Sequence, residues 1–307
     1  MSFYKGKSGS TYLTGQVITK QKNSVIFRAT CCERQANVVI KFIVLPSSTP
    51  KPRELLVLEK IQEFDSPLLV KLLDVIECTV NGCAVIGLVF PAYDMNMLEF
   101  MLAFKHNART NHICYLLRQI ARAIQLLHEN GIVHLDIKLE NIMVNNLDQI
   151  VIIDFGFADF VAPNTPFNRF CGSYAYVSPE QLLQKPYDPF KSDVWSYGVL
   201  AYAMLVNSLP FDTDIEDEKS INALFLSILN KKVHYPTYLS QVSRDLLEHI
   251  IDRNVETRFS IIDVLSHSWF KNEANYVPGQ ASNTPIFGGR LYRGSTSLNV
   301  QSVKVAV

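Results

Sequence analysis

Two stretches decide how this chain reads. The first is His134-Leu135-Asp136-Ile137-Lys138-Leu139-Glu140-Asn141, and the second is Ile152-Ile153-Asp154-Phe155-Gly156. A third, Ser178-Pro179-Glu180, follows them. Each is weak alone: an Asp-Phe-Gly tripeptide arises by chance, and its plain structural role is a turn. Their force lies in their order and separation. Upstream, Ile113, Leu116, Leu117, Ile120, Ala121, Ile124 and Leu127 form a helical stripe that Asn130-Gly131 ends. Two more helices are expected downstream, Ser192 to Asn207 and Ser243 to Arg253.

The first hundred residues have a different character. Val17-Ile18, Val25 to Phe27, Asn37 to Ile43, Leu72 to Cys78 and Cys83 to Phe90 read as five strands. One helix, Arg53 to Ile61, is marked by Leu55, Leu58 and Ile61 and started by Pro50 and Pro52. The architecture expected is a small β-rich lobe followed by a larger helical one. The join lies near Phe90 to Asn96, with Pro91 as a breaker. Residues 271–307 carry little periodicity and read as a flexible tail.

Composition narrows the functions. The 307 residues are 48 % hydrophobic and 19 % charged, which excludes collagen-like and wholly disordered chains. Lys+Arg and Asp+Glu number 29 each, so no charge excess points to a nucleic acid or a membrane surface. No apolar run approaches the ~20 residues that span a bilayer. The six cysteines contain no CxxC pair, so free thiols are expected rather than a zinc site or disulfides. An intracellular protein is expected, cytoplasmic or nuclear.

Together, the opening stretches resemble the protein-kinase signatures HRDxKxxN, DFG and APE, and the resemblance covers residues 10–270. The resemblance is to eukaryotic-type serine/threonine kinases, because Lys138 stands where tyrosine kinases usually carry another residue. It implies an α+β, bilobal fold: N-lobe 10–90, hinge 91–96 and C-lobe 97–270. It also implies ATP and Mg²⁺ as cofactors, and a protein substrate. Asp136 would orient the substrate hydroxyl and accept its proton, and Lys138 would set a cation at the transferring phosphate. Asn141 and Asp154 would hold the metal, for which a carboxylate and an amide carbonyl are suitably hard oxygen donors.

In the small lobe Val38-Val39-Ile40-Lys41 resembles the VAIK strand, and Lys41 would reach the α/β-phosphates. Glu54 would pair with Lys41, with Glu59 as the rival. Ile18, Ile26, Val39 and Met143 would sandwich the adenine. Phe90 would be the gatekeeper. Adenine would bond to the Pro91 carbonyl and the Tyr93 backbone, since Pro91 has no N–H. Glu180 would pair with Arg258, and Asp193 would hold the catalytic-loop backbone. Leu58, Leu72, His134 and Phe155 would stack as a hydrophobic spine. Glu140 stands where some basophilic members meet an Arg, although Ala203 replaces an acidic residue often used with it. No basic amphipathic helix of calmodulin-target type occurs in the tail.

Three departures matter. The phosphate loop has Thr19, Gln21 and Ser24 at its three glycine positions, with Gly15 a few residues upstream. Leu135 replaces the Arg that commonly receives an activation-loop phosphate. Phe170-Cys171-Gly172-Ser173 resembles the TxCGS segment of the calcium/calmodulin-dependent group, which includes AMP-activated-like and testis-specific serine kinases. Arg169 takes the place of its phospho-threonine. The two losses agree, so the loop is expected to be ordered without that phosphate, with Arg169 paired to an acidic group. A regulatory protein partner would then be unidentified. The alternative to an active kinase is a pseudokinase, or an ATP-binding scaffold, which has lost its glycine loop.

Overall fold

The computed structural model describes residues 2–46, 51–103, 110–145, 148–162, 165–211 and 218–275, with the backbone alone for 272–275. Two compact units divide between Asp94 and Met95. The expected tail lies outside the described residues from 276 onward, as does Pro50.

Alternation along β-branched strands organises the first unit. Strands β1 (Phe3–Lys5), β2 (Thr11–Lys20), β3 (Ser24–Cys31) and β4 (Ala36–Val44) precede helix α1 (Arg53–Ile61). Strands β5 (Asp74–Val80) and β6 (Cys83–Pro91) follow it. They form one antiparallel six-stranded sheet in the order β1-β2-β3-β4-β6-β5. Asn81 and Gly82, both at positive φ, make the two-residue turn between β5 and β6. Ile40 and Phe42 of β4 enter the core with Tyr12, Ile76 and Val89. Period-two alternation therefore sends Val39, Lys41 and Ile43 to the opposite face.

Strand β1 precedes the start expected at residue 10. Three residues give too short an alternation to read, and β1 owes its order to pairing with Thr11, Tyr12 and Leu13. The turn after it is clasped by Asp74, which accepts from the Ser8 N–H (3.0 Å), the Ser8 hydroxyl (2.5 Å) and the Tyr12 hydroxyl (3.0 Å). A Cβ on Gly6 would lie 1.9 Å from the Asp74 carboxylate, so only glycine fits against the clasp. The strand expected at Val17-Ile18 is longer than read and carries register shifts at Val17.

The second unit opens with β7 (Met95–Asn96), α2 (Met97–Ala103) and α3 (Thr110–Glu129). Short strands β8 (Ile132–Val133), β9 (Ile142–Val144), β10 (Ile150–Ile152) and β11 (Asp159–Phe160) carry the loops between them. Helices α4 (Pro179–Leu182), α5 (Pro189–Val206), α6 (Glu218–Asn230), α7 (Gln241–Ile250) and α8 (Ile261–Ser266) follow, then a 3₁₀ segment Ser268–Asn275. Helix α5 is buried on nearly every side, from Ser192 to Met204. It starts three residues before the expected Ser192 because the Asp188 carboxylate caps Phe190 and Lys191, and Pro189 is preset at the first position. Asn207, left-handed at φ 60°, ends it. Helices α2, α4, α6 and α8 were not legible as periodic stretches. All six cysteines are free thiols. No described helix is long and apolar enough to cross a membrane.

Candidate active site

In the first unit, Lys41 faces away from the core, in register with Ile26 on β3 and Leu88 on β6. Its ammonium donates to Glu54 Oε1 at 2.8 Å, and both side chains are about nine-tenths buried. Two opposite charges buried together offset part of each other's desolvation. Glu59, the rival, is half-exposed and pairs with Lys51 at 2.9 Å.

Ile18, Val39 and Tyr93 line one cavity of about 290 Å³. Leu13 and Arg28 line it too, and no motif singled out either. Ile26 shares the sheet face of Lys41 and Val39. Pro91 is the last residue of β6, paired with Val38, and Phe90 pairs with Val39. Where the glycine loop would run, the Gln21 N–H bonds the Ser24 carbonyl (2.8 Å) and the Ser24 hydroxyl donates to the Gln21 side chain (3.0 Å). No residue from Lys20 to Ser24 has positive φ, so this turn closes without the backbone freedom that glycine supplies.

In the second unit the loop from His134 to Asn141 is fixed from below. Asp193, on α5 and fully buried, accepts from the His134 N–H and the Leu135 N–H, both at 2.8 Å. His128 bonds the same carboxylate at 3.0 Å. The His134 ring lies between two segments. Its Nε2 bonds the Ile153 carbonyl at 3.1 Å, so Nε2 carries the proton and Nδ1 accepts from the Asp136 N–H at 3.3 Å. Phe155 packs on that ring at 4.9 Å. The Ile153 N–H donates to the Asn141 carbonyl at 2.9 Å. Of the expected spine, His134 and Phe155 therefore touch within this unit, whereas Leu58 is buried and Leu72 half-buried in the first.

On this support sits a closed polar cluster. Lys138 Nζ lies 2.8 Å from Asp136 Oδ2 and donates to Ser173 Oγ at 2.7 Å. Ser173 Oγ in turn donates to Asp136 Oδ1 at 2.9 Å. Asn141 Nδ2 donates to the Asp136 carbonyl (2.9 Å) and to Oδ2 (3.0 Å). All four side chains are buried. The Asn141 amide nitrogen is thus committed, which turns its carbonyl oxygen, the atom a hard cation takes, to the other side. Asp154 follows on the next loop at φ 60°. A carboxylate and an amide oxygen on adjacent loops fit a hard divalent ion such as Mg²⁺. Met143, on β9, pairs with Val151 and Asn96 and is half-buried. Ser173 is the member that local reading missed, because its partners lie 35 and 37 residues away.

Arg258 and Glu180 form a bidentate pair at 2.6 and 2.9 Å. The guanidinium also donates to the Asp252 and Lys191 carbonyls and stacks on Trp195. Burial, with the Glu140 charge adding to it, pushes the Tyr176 hydroxyl far above its ordinary range. One oxygen of Glu140 is buried and accepts from no described group.

The first unit thus holds a buried Lys–Glu pair and the second an Asp–Lys–Asn cluster, at the positions that the kinase motifs named. The protein kinase domain family matches residues 12–270, and the chain belongs to that family, with its resemblance to the eukaryotic serine/threonine, calcium/calmodulin-dependent-like kinases. Sperm motility kinase 2B of Mus musculus is 32 % identical over 225 residues, 72 % of this chain and 44 % of that protein. Serine/threonine-protein kinase kin-29 of Caenorhabditis elegans is 36 % identical over 185 residues, covering 59 % and 22 %. Serine/threonine-protein kinase KIN4 of Saccharomyces cerevisiae is 35 % identical over 171 residues, covering 54 % and 21 %. The chain spans less than half the length of these relatives.

Proposed function

We propose that this chain is an active serine/threonine kinase that transfers the γ-phosphate of ATP, with Mg²⁺, to a protein hydroxyl. The observation that carries the reading is the closed Asp136–Ser173–Lys138 cluster, in which the Asp136 carboxyl is hydrogen-bonded by Ser173 and lies against the Lys138 ammonium. Asp136 would accept the hydrogen bond of the incoming hydroxyl and take its proton as transfer proceeds. Lys138, held beside it, would stabilise charge growing on the transferred group. Lys41, braced by Glu54, would hold the α/β-phosphates. Asn141 and Asp154 would hold the metal, and bound Mg²⁺ would supply neutralisation of phosphate charge. Little covalent chemistry is asked of the protein, so placement of these charges is most of the work.

The unpartnered Glu140 oxygen supports a preference for a basic residue near the acceptor, because a buried carboxylate oxygen without a donor is costly. A peptide-library assay in which basic residues bring no gain would remove that preference.

The deciding experiment compares phosphate transfer to a generic protein substrate by the wild-type chain, Asp136→Asn and Asp154→Asn. Transfer by the wild type alone supports the reading. If all three are silent while Mg²⁺-ATP still raises the melting temperature, the chain is a nucleotide-binding protein. Silence with no thermal shift leaves a pseudokinase scaffold, the reading that the glycine-free turn favours.

A further inference from the structure

The turn that joins β1 to β2 is built around one serine. It reads Lys5-Gly6-Lys7-Ser8-Gly9-Ser10, so lysines stand three and one residues before Ser8. Ser8 is exposed, yet its polar groups point at one carboxylate. The hydroxyl donates to Asp74 Oδ2 at 2.5 Å and the N–H to Asp74 Oδ1 at 3.0 Å. The Gly6 N–H bonds the Ser10 carbonyl at 2.9 Å, and the Gly9 N–H bonds the Gly6 carbonyl at 3.0 Å, which closes the turn. Ser10, the neighbouring hydroxyl, is half-buried and leads directly into β2.

Asp74 ties this turn to the sheet. It is buried at the start of β5 and also accepts from the Tyr12 hydroxyl and the Val75 N–H. Little space is left beside the carboxylate, because Gly6 backs onto it so closely that even a Cβ would collide. Lys7 Nζ lies 2.6 Å from Glu77, a second tie to β5. Upstream, Tyr4 of β1 packs on Phe42 of β4 with ring centroids 4.7 Å apart. Holding the turn therefore also holds Tyr4 against the core of the sheet.

A phosphate on Ser8 is incompatible with this arrangement. It carries a charge of about −1.5 to −2 and offers acceptor oxygens, whereas Asp74 needs donors. The hydroxyl proton that Asp74 accepts is gone once the ester forms, and a bulkier anion faces a carboxylate hemmed in by Gly6. Lys7, one residue away, gains a stronger partner than Glu77. The turn thus has two arrangements that a single charge change selects between.

We propose that Ser8 is a phosphorylation site of this chain, modified by the chain's own transfer activity, and that the phosphate opens the β1–β2 turn. Lys5 and Lys7 supply the basic residues that the unpartnered Glu140 oxygen suits. The identity of the enzyme rests on the kinase reading, but the opening of the turn does not. In the transfer, Ser8 Oγ bonds to the γ-phosphorus of ATP and the bond from that phosphorus to the β–γ bridging oxygen breaks. ADP leaves, and the Ser8 proton passes to the Asp136 carboxylate. The Asp74 clasp opposes this step, because the turn must open to present the hydroxyl. It cannot reform afterwards, so the modification holds the turn open.

The test incubates the full chain with Mg²⁺-ATP and locates phosphate by mass spectrometry, beside a parallel reaction with a generic protein substrate. Phosphate should appear on Ser8 in wild type and not in Asp136→Asn. Ser8→Ala should lose that signal with generic transfer unchanged. Asp74→Ala frees the hydroxyl and should speed Ser8 labelling about tenfold, the factor for one lost charge-assisted hydrogen bond. If that variant fails to fold, the surface variant Lys5→Gln/Lys7→Gln should slow labelling about threefold or more and leave generic transfer unchanged. Opening is read from amide exchange over residues 3–13, which should run about tenfold or more faster in the phosphorylated chain. Generic transfer with no phosphate on Ser8, with phosphate on Ser10 instead, or with Ser8 equally labelled in Asp136→Asn, would overturn the assignment. Phosphorylated Ser8 with unchanged exchange would overturn the switch. A wild type that labels nothing sinks the kinase reading instead, and chain made with phosphoserine at position 8 then decides by its exchange whether the turn opens.

Discussion

Ser173 offers the sharpest check on the cluster geometry. Ser173→Ala removes a hydroxyl that accepts from Lys138 at 2.7 Å and donates to Asp136 at 2.9 Å. The Asp136–Lys138 pair survives, because Lys138 Nζ stays 2.8 Å from the other carboxylate oxygen. Asn141 also still donates to Asp136. What is lost is the tether between catalytic loop and activation segment. A hydrogen bond to a charged group contributes about 1.5–3 kcal/mol. With the ion pair retained, one such contribution is the reasonable size of the loss. At 1.36 kcal/mol per decade this is about a 10- to 150-fold fall in kcat. The bonds that Ser173 makes are to Asp136 and Lys138 of its own unit, so the KM for ATP should hold within about twofold. Ser173→Thr keeps the hydroxyl and should stay within about threefold of wild type. The assay is steady-state transfer to one peptide, with melting temperature measured beside it. Turnover by Ser173→Ala equal to wild type, while Asp136→Asn is inactive, would refute the bridging role.

Three further outcomes follow from the geometry. Glu180→Ala strands a buried guanidinium that keeps only its backbone acceptors, so the loss should be about 3 kcal/mol. For a unit of this size calorimetry should then show melting lowered by about 6–12 °C, and an unchanged melting point would contradict the buried pair. Glu54→Ala leaves the Lys41 ammonium buried and should cost about 3 kcal/mol with loss of transfer. The double variant Lys41→Met/Glu54→Leu should recover the stability but not the activity. Asp74 is pulled up by burial, but the bonds from Ser8, Val75 and Tyr12 outweigh this and hold it below the usual carboxylate range. A depressed native pKa adds stability above the unfolded value of about 4, lost as pH falls through the native one. The melting advantage of wild type over Asp74→Asn should therefore shrink between about pH 5 and pH 2; a gap that stays constant over that range would remove the clasp.

The sheet strands and the three long helices were legible because hydrophobic period is local information. Strand β1 was not, since Phe3-Tyr4-Lys5 becomes a strand only through pairing with Leu13, Tyr12 and Thr11. Glu54 and Glu59 lie on one helix, and the choice of Glu54 rested on the family resemblance alone. The geometry agrees with it, since Glu54 bonds Lys41 in a buried pair and Glu59 meets Lys51 in solvent. The resemblance to the kinase motifs pointed to Asp136, Lys138, Asn141 and Asp154, but not to the Ser173 bridge. The missing glycines were plain to read. That the Gln21–Ser24 turn closes at negative φ without them needed backbone angles.

Buried charge and backbone strain converge on the same few residues. Among described non-glycine residues at positive φ, Gln35, Asn81 and Asn207 sit where turns or helix ends accept such angles. Leu135 and Asp154 do not. Leu135 precedes Asp136, and Asp154 follows the Ile153 carbonyl that orients His134. Holding a non-glycine residue there costs about 1 kcal/mol or more and persists only where surroundings over-determine it. The Asp193 bonds to His134 and Leu135 and the apolar cluster around Leu135 are that over-determination. Burying Asp136, Lys138 and Asp193 adds desolvation that an apolar packing would avoid. A scaffold has no use for either cost, since adenine-side packing and lobe folding need neither. A phosphotransferase has use for both, because its carboxylate and its cation must already stand in place when the acceptor arrives. The glycine-free turn pulls the other way, but it removes closeness at the phosphates rather than any charged group. On the proposed kinase reading, the expected balance is therefore weakened ATP affinity with transfer retained.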